Sequence, residues 1–446
     1  MKTEKQWSEM TWQERREERF KKWLAADGVK FSSPEARKKY QAKATRMIKA
    51  IKMEIPDRVP VHIPGGSIVA YNAGLTLKDV LYDHTKIKPA YLKWLKDYDQ
   101  DSNDGPGFFS GRAYELLDYK VNKWPGHGLP DTATLHNFVE QEYMQPDEYD
   151  LLIKDPFDFG LRFFTPRTWG AFEPLASMPS MSSYQGLPQR LMGMCLDPRF
   201  QKLFKAIWEA SQENVKWQMV NFECSQIAME SGFPPLGGGM GLAPFDNIAD
   251  MLRGTRGSVL DMYRQPEKLL EALDVIADNS IASAVDMVNM SRSPIVFVPM
   301  HKGDDHFMSV QQFEKFYWPT FRKFLLGCVN EGCVPMMVID GSYNEDRLNI
   351  ISELPRSSVV WTMEQTDMAS AKKILGDSAC IAGNVLAAQL RTHTPKEIKE
   401  YCRKLIEICA PGGGYILSLG SGADKCDPAN LQAIIEAAKE YGVYQQ

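Results

Sequence analysis

The feature that most constrains the fold is a regular alternation of helical and short apolar segments, which runs from Asp197 to near the C-terminus. Segments such as "PEKLLEALDVIADNSIASAVDMVNM" place apolar residues at helical spacing, whereas "PIVFVPM" and "VPMMVID" are short apolar runs typical of buried strands. Strict alternation of this kind predicts a parallel sheet with helices packed outside it.

The number of strand and helix units favours a closed barrel over an open sheet. The segment "DRVPVHIPGG", from Asp57, looks like the first buried strand, and at least one more strand is expected in the Gly- and Pro-rich middle of the chain. With the C-terminal series these approach eight units, so we predict an α/β fold of the (β/α)8 TIM-barrel class. A doubly wound α/β sheet would produce a similar alternation in the sequence and is the alternative fold.

Two regions outside this series have their own character. Residues 1–57 show apolar groups at helical spacing among charges and predict a helical extension that covers one side or end of the core, so that residues 58–446 form the barrel. Residues 100–190 are rich in Gly, Pro, Met and aromatic residues without a clean period. We interpret them as long loops and short elements over the barrel mouth.

Charge and cysteine usage limit the possible partners and compartment. A net charge of −5, from 52 basic and 57 acidic residues, gives no strong field for nucleic acid or an anionic membrane. No run of about 18 apolar residues is present, and the first residues are charged rather than apolar. With eight cysteines and no CxxC pair, the sequence predicts a cytoplasmic protein with reduced thiols and small-molecule or protein partners.

Polar side chains follow the predicted strands, where the active site of such a barrel is found. They are His62, His301, Asp304, Asp305, Asp340, Tyr343, Glu364, Asn384 and Ser421. Each also has a structural alternative: an acidic residue after a strand can be solvated or can cap the next helix, and a histidine or asparagine can fix a turn. Because they are all predicted to lie at the same end of the barrel, a common active site is favoured.

The segment "VPMMVIDGS" ends a buried strand on a carboxylate, Asp340, and Gly341 then breaks the strand. A carboxyl group at the end of an apolar strand has a raised pKa through desolvation and can stay protonated near neutral pH. The segment "HKGDDHF", which begins at His301, contains residue types that bind Zn or Fe, but its spacing matches no strong metal signature. A metal held by His301, Asp340 and Glu364 therefore stays an alternative to direct proton transfer.

The C-terminal part of the sequence resembles a known family. "DHFMSVQQFEKFYWPTFRKFL", "EQTDMASAKKILGDSACIAGN" and "GGYILSLGSGADKCDPANLQAIIEAAKEYG" together resemble the uroporphyrinogen decarboxylase superfamily, and "DRVPV" followed by "GG" resembles the start of its methyltransferase branch. The resemblance implies a (β/α)8 barrel with a funnel-like site at the carboxyl ends of the strands. It also implies one of two activities, decarboxylation of a porphyrinogen or methyl transfer to or from a corrinoid.

The decarboxylases of this superfamily have an Arg-rich stretch, similar to "MRQAGRYLPEYR", that binds the tetrapyrrole carboxylates. The corresponding region here is "VHIPGGSIVAYNAGL", which contains no arginine. The charge-assisted bonds that a poly-acid substrate requires are therefore missing. The resemblance thus favours the corrinoid-dependent methyltransferase branch over a true uroporphyrinogen decarboxylase.

The thiol-methylating members of the superfamily bind zinc through a His-x-Cys pair and a later Cys. By position, Val338 stands where the His would be, Asp340 where the first Cys would be, and Ser421 where the last Cys would be. Because these three ligands are absent, the resemblance does not imply that this chain binds a thiol-activating zinc ion at that place.

The resulting hypothesis is a methyltransferase that moves a methyl group between a methyl ether or methylamine and the cobalt of a corrinoid supplied by a partner protein. Asp340, assisted by His301 or Glu364, would protonate or polarise the leaving group. The substrate-binding residues would be Asn384, Tyr343, Asp304, Asp305, His62 and Ser421. The alternatives are a corrinoid- or tetrapyrrole-binding barrel without catalysis, or a decarboxylase of a small non-porphyrin acid; a homodimer is possible.

Overall fold

The computed structural model describes residues 5–182 and 185–445, and a parallel sheet of seven strands forms its centre. The strands are β1 (Val61–His62), β2 (Gly237–Met240), β3 (Ile295–Met300), β4 (Val334–Ile339), β5 (Val360–Met363), β6 (Cys380–Val385) and β7 (Tyr415–Leu419). Along the sheet they follow the order β1-β7-β6-β5-β4-β3-β2, and each neighbouring pair is parallel.

An irregular segment, residues 100–103, joins the two edge strands of this sheet. The Asp101 N–H donates to the Val61 carbonyl at 2.9 Å on one side, and the Leu236 N–H donates to the Asn103 carbonyl at 2.8 Å on the other. The segment therefore fills the eighth position and closes the sheet. The predicted (β/α)8 barrel is confirmed, with an irregular eighth strand.

Side chains rather than a regular backbone ladder hold much of this closure. The buried Asp101 carboxylate accepts hydrogen bonds from the Val61 N–H at 2.8 Å and from the guanidinium groups of Arg46 and Arg58. On the inward side, Gln100 Oε1 accepts from the Ile63 N–H at 2.6 Å. Closure of the barrel thus depends on an arginine from the N-terminal helices.

The N-terminal helices Trp12–Ala25 and Pro34–Ile51 cover the amino-terminal end of the barrel. Thr11 caps the first, and Ser33 followed by Pro34 starts the second. The Trp23 indole is fully buried and donates to the Pro235 carbonyl, just before β2, at 3.0 Å. Apolar side chains from both helices pack against the inward side chains at the start of the strands.

Helices follow the strands along the chain, and most pack with one face in the core. The other α-helices are Ser67–Asn72, Leu77–Tyr82, Ile87–Asp97, Gly111–Leu116, Tyr149–Lys154, Pro156–Phe159, Thr165–Thr168, Leu187–Leu196, Pro198–Glu230, Pro244–Asp246, Gly254–Arg264, Pro266–Asn289, Val310–Gln312, Trp318–Asn330, Glu345–Ile351, Met368–Leu375, Gln389–Thr392, Pro395–Cys409 and Pro428–Glu440. Within residues 5–182 and 185–445, no helix is both long and apolar enough to cross a membrane.

The stretch from residue 100 to 190, in its described parts 100–182 and 185–190, consists of loops, short helices and a small three-stranded sheet of Asn122–Pro125, Gly128–Leu129 and Asn137–Phe138. It contacts loops at the carboxyl ends of the strands. Thr134 donates to Asp424, beyond β7, at 3.0 Å, and Glu140 accepts from the Thr255 N–H, beyond β2, at 2.8 Å. The prediction of loops over the barrel mouth is therefore confirmed.

Candidate active site at the barrel mouth

A cavity of about 450 Å³ opens inside the barrel toward the carboxyl ends of the strands. Its size lies at the lower end of the range of small-molecule sites, roughly 300 to 1,000 Å³. The lining residues are His62, Pro64, Gly65, Gly66, Asp104, Gly105, Pro106, Gly107, Leu236, Gly237, Ile295, Phe297, Met336, Val338, Thr362, Ser418, Leu419, Gly420, Ser421 and Gly422. None of these residues, all in the described part of the chain, is a lysine or an arginine.

One wall of the cavity is apolar because alternate strand residues point inward. Phe297 of β3 and Met336 and Val338 of β4 line this wall. Thr362 of β5 faces the same space, and its buried hydroxyl has no hydrogen-bond partner among the described residues. An unpaired buried hydroxyl is costly, and a bound ligand or water would satisfy it.

The opposite wall contains a buried histidine between a hydroxyl and a carboxylate. His62 Nδ1 lies 2.9 Å from Ser102 Oγ, and His62 Nε2 lies 3.3 Å from Asp104 Oδ2. Burial raises the pKa of Asp104, but His62 and the Gly65 N–H outweigh it and hold the pKa below its ordinary value. Asp104 is therefore a carboxylate that lines the cavity, with a side chain that is 32% exposed.

Asp340 is not itself a lining residue, but it lies two residues beyond Val338, which is, and so stands at the rim of the cavity where β4 ends. Its N–H donates to the Met300 carbonyl at 3.1 Å and so ends the pairing of β4 with β3. Gly341 follows with φ +94°, and a Cβ there would lie 2.6 Å from Asp304 Oδ2. The turn that presents the Asp340 carboxylate therefore requires glycine, as the sequence break indicates.

His301 meets Asp340 across the rim. His301 Nε2 lies 3.7 Å from Asp340 Oδ2, and His301 Nδ1 lies 2.6 Å from Asp250 Oδ2. The bond to Asp250 raises the pKa of His301, although burial opposes it. Burial raises the pKa of Asp340, as do the Glu364 and Asp250 carboxylates, against the effect of His301. Both shifts thus favour the protonated form of each group.

Asp246 fixes the backbone on which His301 stands. It is fully buried and accepts hydrogen bonds from the His301 N–H at 2.9 Å, the Lys302 N–H at 3.0 Å and the Tyr317 hydroxyl at 2.8 Å. Burial, and then the nearby Asp250 charge, raises the pKa of Asp246 to about 7. Asp246 and Asp250 together hold the backbone and ring of His301 from one short helical segment.

Glu364 connects two strand ends at the same rim. One carboxylate oxygen accepts from the Gly341 N–H at 2.8 Å, and the other accepts from Ser421 Oγ at 3.1 Å. Ser421 also lines the cavity. Glu364 is therefore close to Asp340 and to the cavity wall, and its two oxygens are engaged by protein donors.

Asn384 and Tyr343, predicted to orient substrate, lie in the protein interior. The Asn384 amide donates to the Glu364 and Thr366 carbonyls at 3.2 and 3.1 Å and accepts from the Tyr401 hydroxyl at 2.9 Å. Tyr343 is buried, and its hydroxyl has no partner among the described residues. Both side chains lie beneath the rim residues, where Asn384 binds the neighbouring backbone. A substrate-binding role for either residue stays a prediction.

Asp304 and Asp305 shape the loop after β3. Asp304 accepts from the His306 and Phe307 N–H groups at 3.3 and 3.1 Å, and Asp305 forms an ion pair with the buried Arg347. The structure thus gives both carboxylates structural partners. Their predicted contact with substrate is untested.

The donor groups at the rim do not form a metal site in this arrangement. Among residues 5–182 and 185–445, no three His, Cys, Asp or Glu side chains are grouped so that they could hold a metal ion. His301 and Asp340 approach each other, but Glu364 is turned to Gly341 and Ser421. The metal assignment stays a prediction without geometric support.

Sequence reasoning missed four polar residues of the site. Asp104, Thr362, Asp246 and Asp250 lie in the cavity wall or behind His301. The inward phase of β5 could have identified Thr362, because every second residue of a barrel strand faces inside. Asp104, Asp246 and Asp250 lie in irregular or helical segments, far in sequence from the residues that they contact.

The fold and the cavity define a (β/α)8 barrel with a small-molecule site at the carboxyl ends of its strands. The family model described as uroporphyrinogen decarboxylase (URO-D) matches residues 219–441, which is half of the 446-residue chain. The chain belongs to this family.

Two curated relatives match part of the chain. The uroporphyrinogen decarboxylase of Chlorobaculum tepidum is 26% identical over 185 residues, which are 40% of this chain and 51% of that protein. That of Chlorobium phaeovibrioides is 36% identical over 78 residues, which are 17% of this chain and 22% of that protein. The matched stretches thus span about half or less of each relative.

A solved structure, a methyltransferase from Methanosarcina mazei, matches over most of the chain. It has a TM-score of 0.58 and 16% sequence identity and covers 89% of this chain and 98% of that chain. At this identity the likeness shows a shared fold.

Proposed function

We propose that the protein is a methyltransferase that moves a methyl group between a small methylated substrate and the cobalt of a corrinoid. The observation that carries this proposal is the lining of the cavity, which is largely apolar and contains no lysine or arginine among the described residues. A tetrapyrrole with several carboxylates requires cationic partners at its site. The lining therefore suits a methyl donor without acidic groups better than a porphyrinogen or another organic acid.

The polar groups of the cavity indicate the kind of substrate. The Asp104 carboxylate faces the cavity and can accept from an O–H, N–H or ammonium group, while Phe297, Met336 and Val338 offer an apolar surface for a ring or methyl groups. The unpaired Thr362 hydroxyl supplies a further hydrogen bond. A methoxylated phenol or a methylated amine combines these properties.

The rim supplies the proton that such a reaction needs. When the methyl group of an ether is transferred, the rest of the substrate leaves as an alkoxide or, for a methoxylated phenol, as a phenoxide, and its departure is favoured when the oxygen is protonated. Asp340, with a raised pKa and His301 Nε2 at 3.7 Å, donates this proton as the bond from oxygen to methyl breaks, and His301 can return a proton to Asp340. Asp250 holds His301 Nδ1, so that Nε2 faces Asp340.

A Co(I) corrinoid brought by a partner protein would supply the nucleophile that accepts the methyl group. The cavity volume of about 450 Å³ suits the small substrate. The residues that would meet the corrinoid are therefore those of the rim around Asp340 and His301, rather than those of the cavity floor.

The proposal is tested with free cob(I)alamin as the methyl acceptor and panels of methoxylated phenols, methylated amines and short carboxylic acids. We expect conversion of Co(I) to methyl-Co(III), followed by its absorption spectrum, with phenols or amines and with equimolar release of the demethylated product. Carbon dioxide release from an acid without cobalt would instead show a decarboxylase. Corrinoid binding without conversion, with every donor and with a corrinoid partner protein, would show a binder.

A further inference from the structure

The longest helix, Pro198–Glu230, has 33 residues and two opposite apolar faces. One face packs into the core through residues such as Leu203 and Trp217. The other exposes an apolar stripe, which we define as Phe204, Trp208, Val215, Met219 and Phe222. Trp208, Met219 and Phe222 are each about two-thirds exposed, at 67%, 68% and 66%.

The exposed apolar area is large enough for a stable interface. The preceding helix adds Leu187, Leu191, Met192 and Leu196, all exposed. At about 200 Å² for a large side chain, the exposed fractions of these residues and of the stripe amount to roughly 1,000 Å². Patches on monomers rarely exceed a few hundred Å², and a standard interface buries about 800 Å² on each partner.

The spacing of the stripe is nearly symmetric about residue 213. Phe204 and Phe222 each lie nine residues from it, Trp208 and Met219 lie five and six residues from it, and Val215 corresponds to the polar Ser211. The steps along the stripe, of four, seven, four and three residues, suit two helices packed at a shallow angle. A nearly symmetric apolar stripe fits a twofold axis, about which each residue lies near its counterpart on the second copy.

We infer that the apolar stripe is the interface of a homodimer in which two copies of the helix Pro198–Glu230 pack antiparallel about a twofold axis near residue 213. In this register Trp208 packs against the partner's Met219, and Phe204 packs close to the partner's Phe222. Lys205 then lies beside the partner's Glu223, and both side chains are exposed, by 75% and 51%. This pair of flanking charges is thus complementary between the copies, while Glu223 also accepts from Lys88 of its own chain at 2.6 Å.

The experiment is sedimentation velocity with the full chain between 0.5 and 50 µM. We expect a species of twice the 50.6 kDa chain mass for the wild type. Trp208→Glu and Met219→Lys, each alone, place two like charges in the interface and should give monomers. The double variant W208E/M219K places opposite charges face to face twice and should recover dimer. Residues 208 and 219 are three turns apart in one helix, so the introduced charges cannot pair within a chain.

The matched control is Met290→Glu, which changes an apolar residue that is 83% exposed outside the stripe and should leave the dimer intact. Circular dichroism and thermal melting show that each variant is folded, which is expected because all three sites are exposed. A monomeric wild type at 50 µM, a dimeric Trp208→Glu protein, or a double variant that stays monomeric would each overturn the inference. Methyl transfer is not measured here, so the result is independent of the proposed activity.

Discussion

Replacement of Asp340 by asparagine removes the proton donor but keeps the shape of the side chain. General acid catalysis contributes about 10²- to 10⁴-fold to rate. Asp340 is 47% exposed, and His301 Nε2, 3.7 Å away, can deliver a proton in its place. We therefore expect kcat for a methyl ether to fall by about 10²-fold, near the lower end of that range.

The leaving group separates this role from a structural one. A quaternary ammonium donor leaves as a neutral amine and needs no proton, so Asp340→Asn should change its rate less than about threefold. The pKa of Asp340 is raised, and catalysis needs the protonated form, so wild-type activity on an ether should fall as pH rises through that pKa. The asparagine variant should lack this limb of the pH profile.

The assay is the initial rate of methyl-cobalt formation from cob(I)alamin, measured from pH 5 to pH 9 with both donor types. Asp346→Asn, an exposed carboxylate in the next helix, is the matched control. Because the pKa of Asp340 is raised in the folded protein, the ionised carboxylate destabilises the folded state at a pH above its ordinary pKa. Asparagine removes this charge, so the Asp340→Asn protein should have a melting temperature at pH 8 that is no lower than that of the wild type. Equal rate losses with ether and ammonium donors would refute the proton-donor role.

Three further variants test the framework of the site. Asp101→Asn should lower the free energy of unfolding by about 3 to 5 kcal/mol in urea titrations, because it takes the carboxylate from Arg58 and leaves the buried Arg46 with Asp57 alone. Thr362→Val should change the unfolding free energy by less than about 1 kcal/mol, since the hydroxyl has no partner among the described residues, but it should raise KM about fivefold by removing the hydrogen bond proposed for the substrate. Asp246 has its pKa raised to about 7 from 3.8, so wild-type stability should fall as pH rises between these values. Asp246→Asn should flatten that slope in urea titrations from pH 4 to pH 8, and an unchanged slope would contradict the assignment.

The barrel could be predicted from the sequence because its regular strands are apolar runs between amphipathic helices. Strand β4, "VPMMVI", and the acid that follows it were identified in this way, and His301 and Asp340 meet as expected for the ends of neighbouring strands. The eighth strand could not be identified, because residues 99–104 read "DQDSND" after a tyrosine-rich stretch and contain no apolar run. Side-chain hydrogen bonds replace apolar burial there.

The fine structure of the site was beyond sequence reasoning for a related reason. Whether an acid after a strand faces substrate or protein depends on which donors surround it, and those donors come from distant segments. Asp305 faces Arg347, 42 residues away, and Asp246 holds the backbone of His301, 55 residues away. Such pairs leave no local pattern in the sequence. The sequence therefore predicts at which end of the barrel the site lies, but not the role of each residue in it.

The side-chain closure of the barrel has a consequence for how the chain can be shortened. A fragment that begins at residue 58 would lack Arg46 and the helix that supplies it, so the buried Asp101 would lose a counter-ion and residues 100–103 would lose an anchor. The barrel would then tend to open along this segment and expose two unpaired strand edges, which favour edge-to-edge aggregation. Trimming the first helices for expression would therefore yield insoluble protein, with the cavity wall of Asp104 displaced.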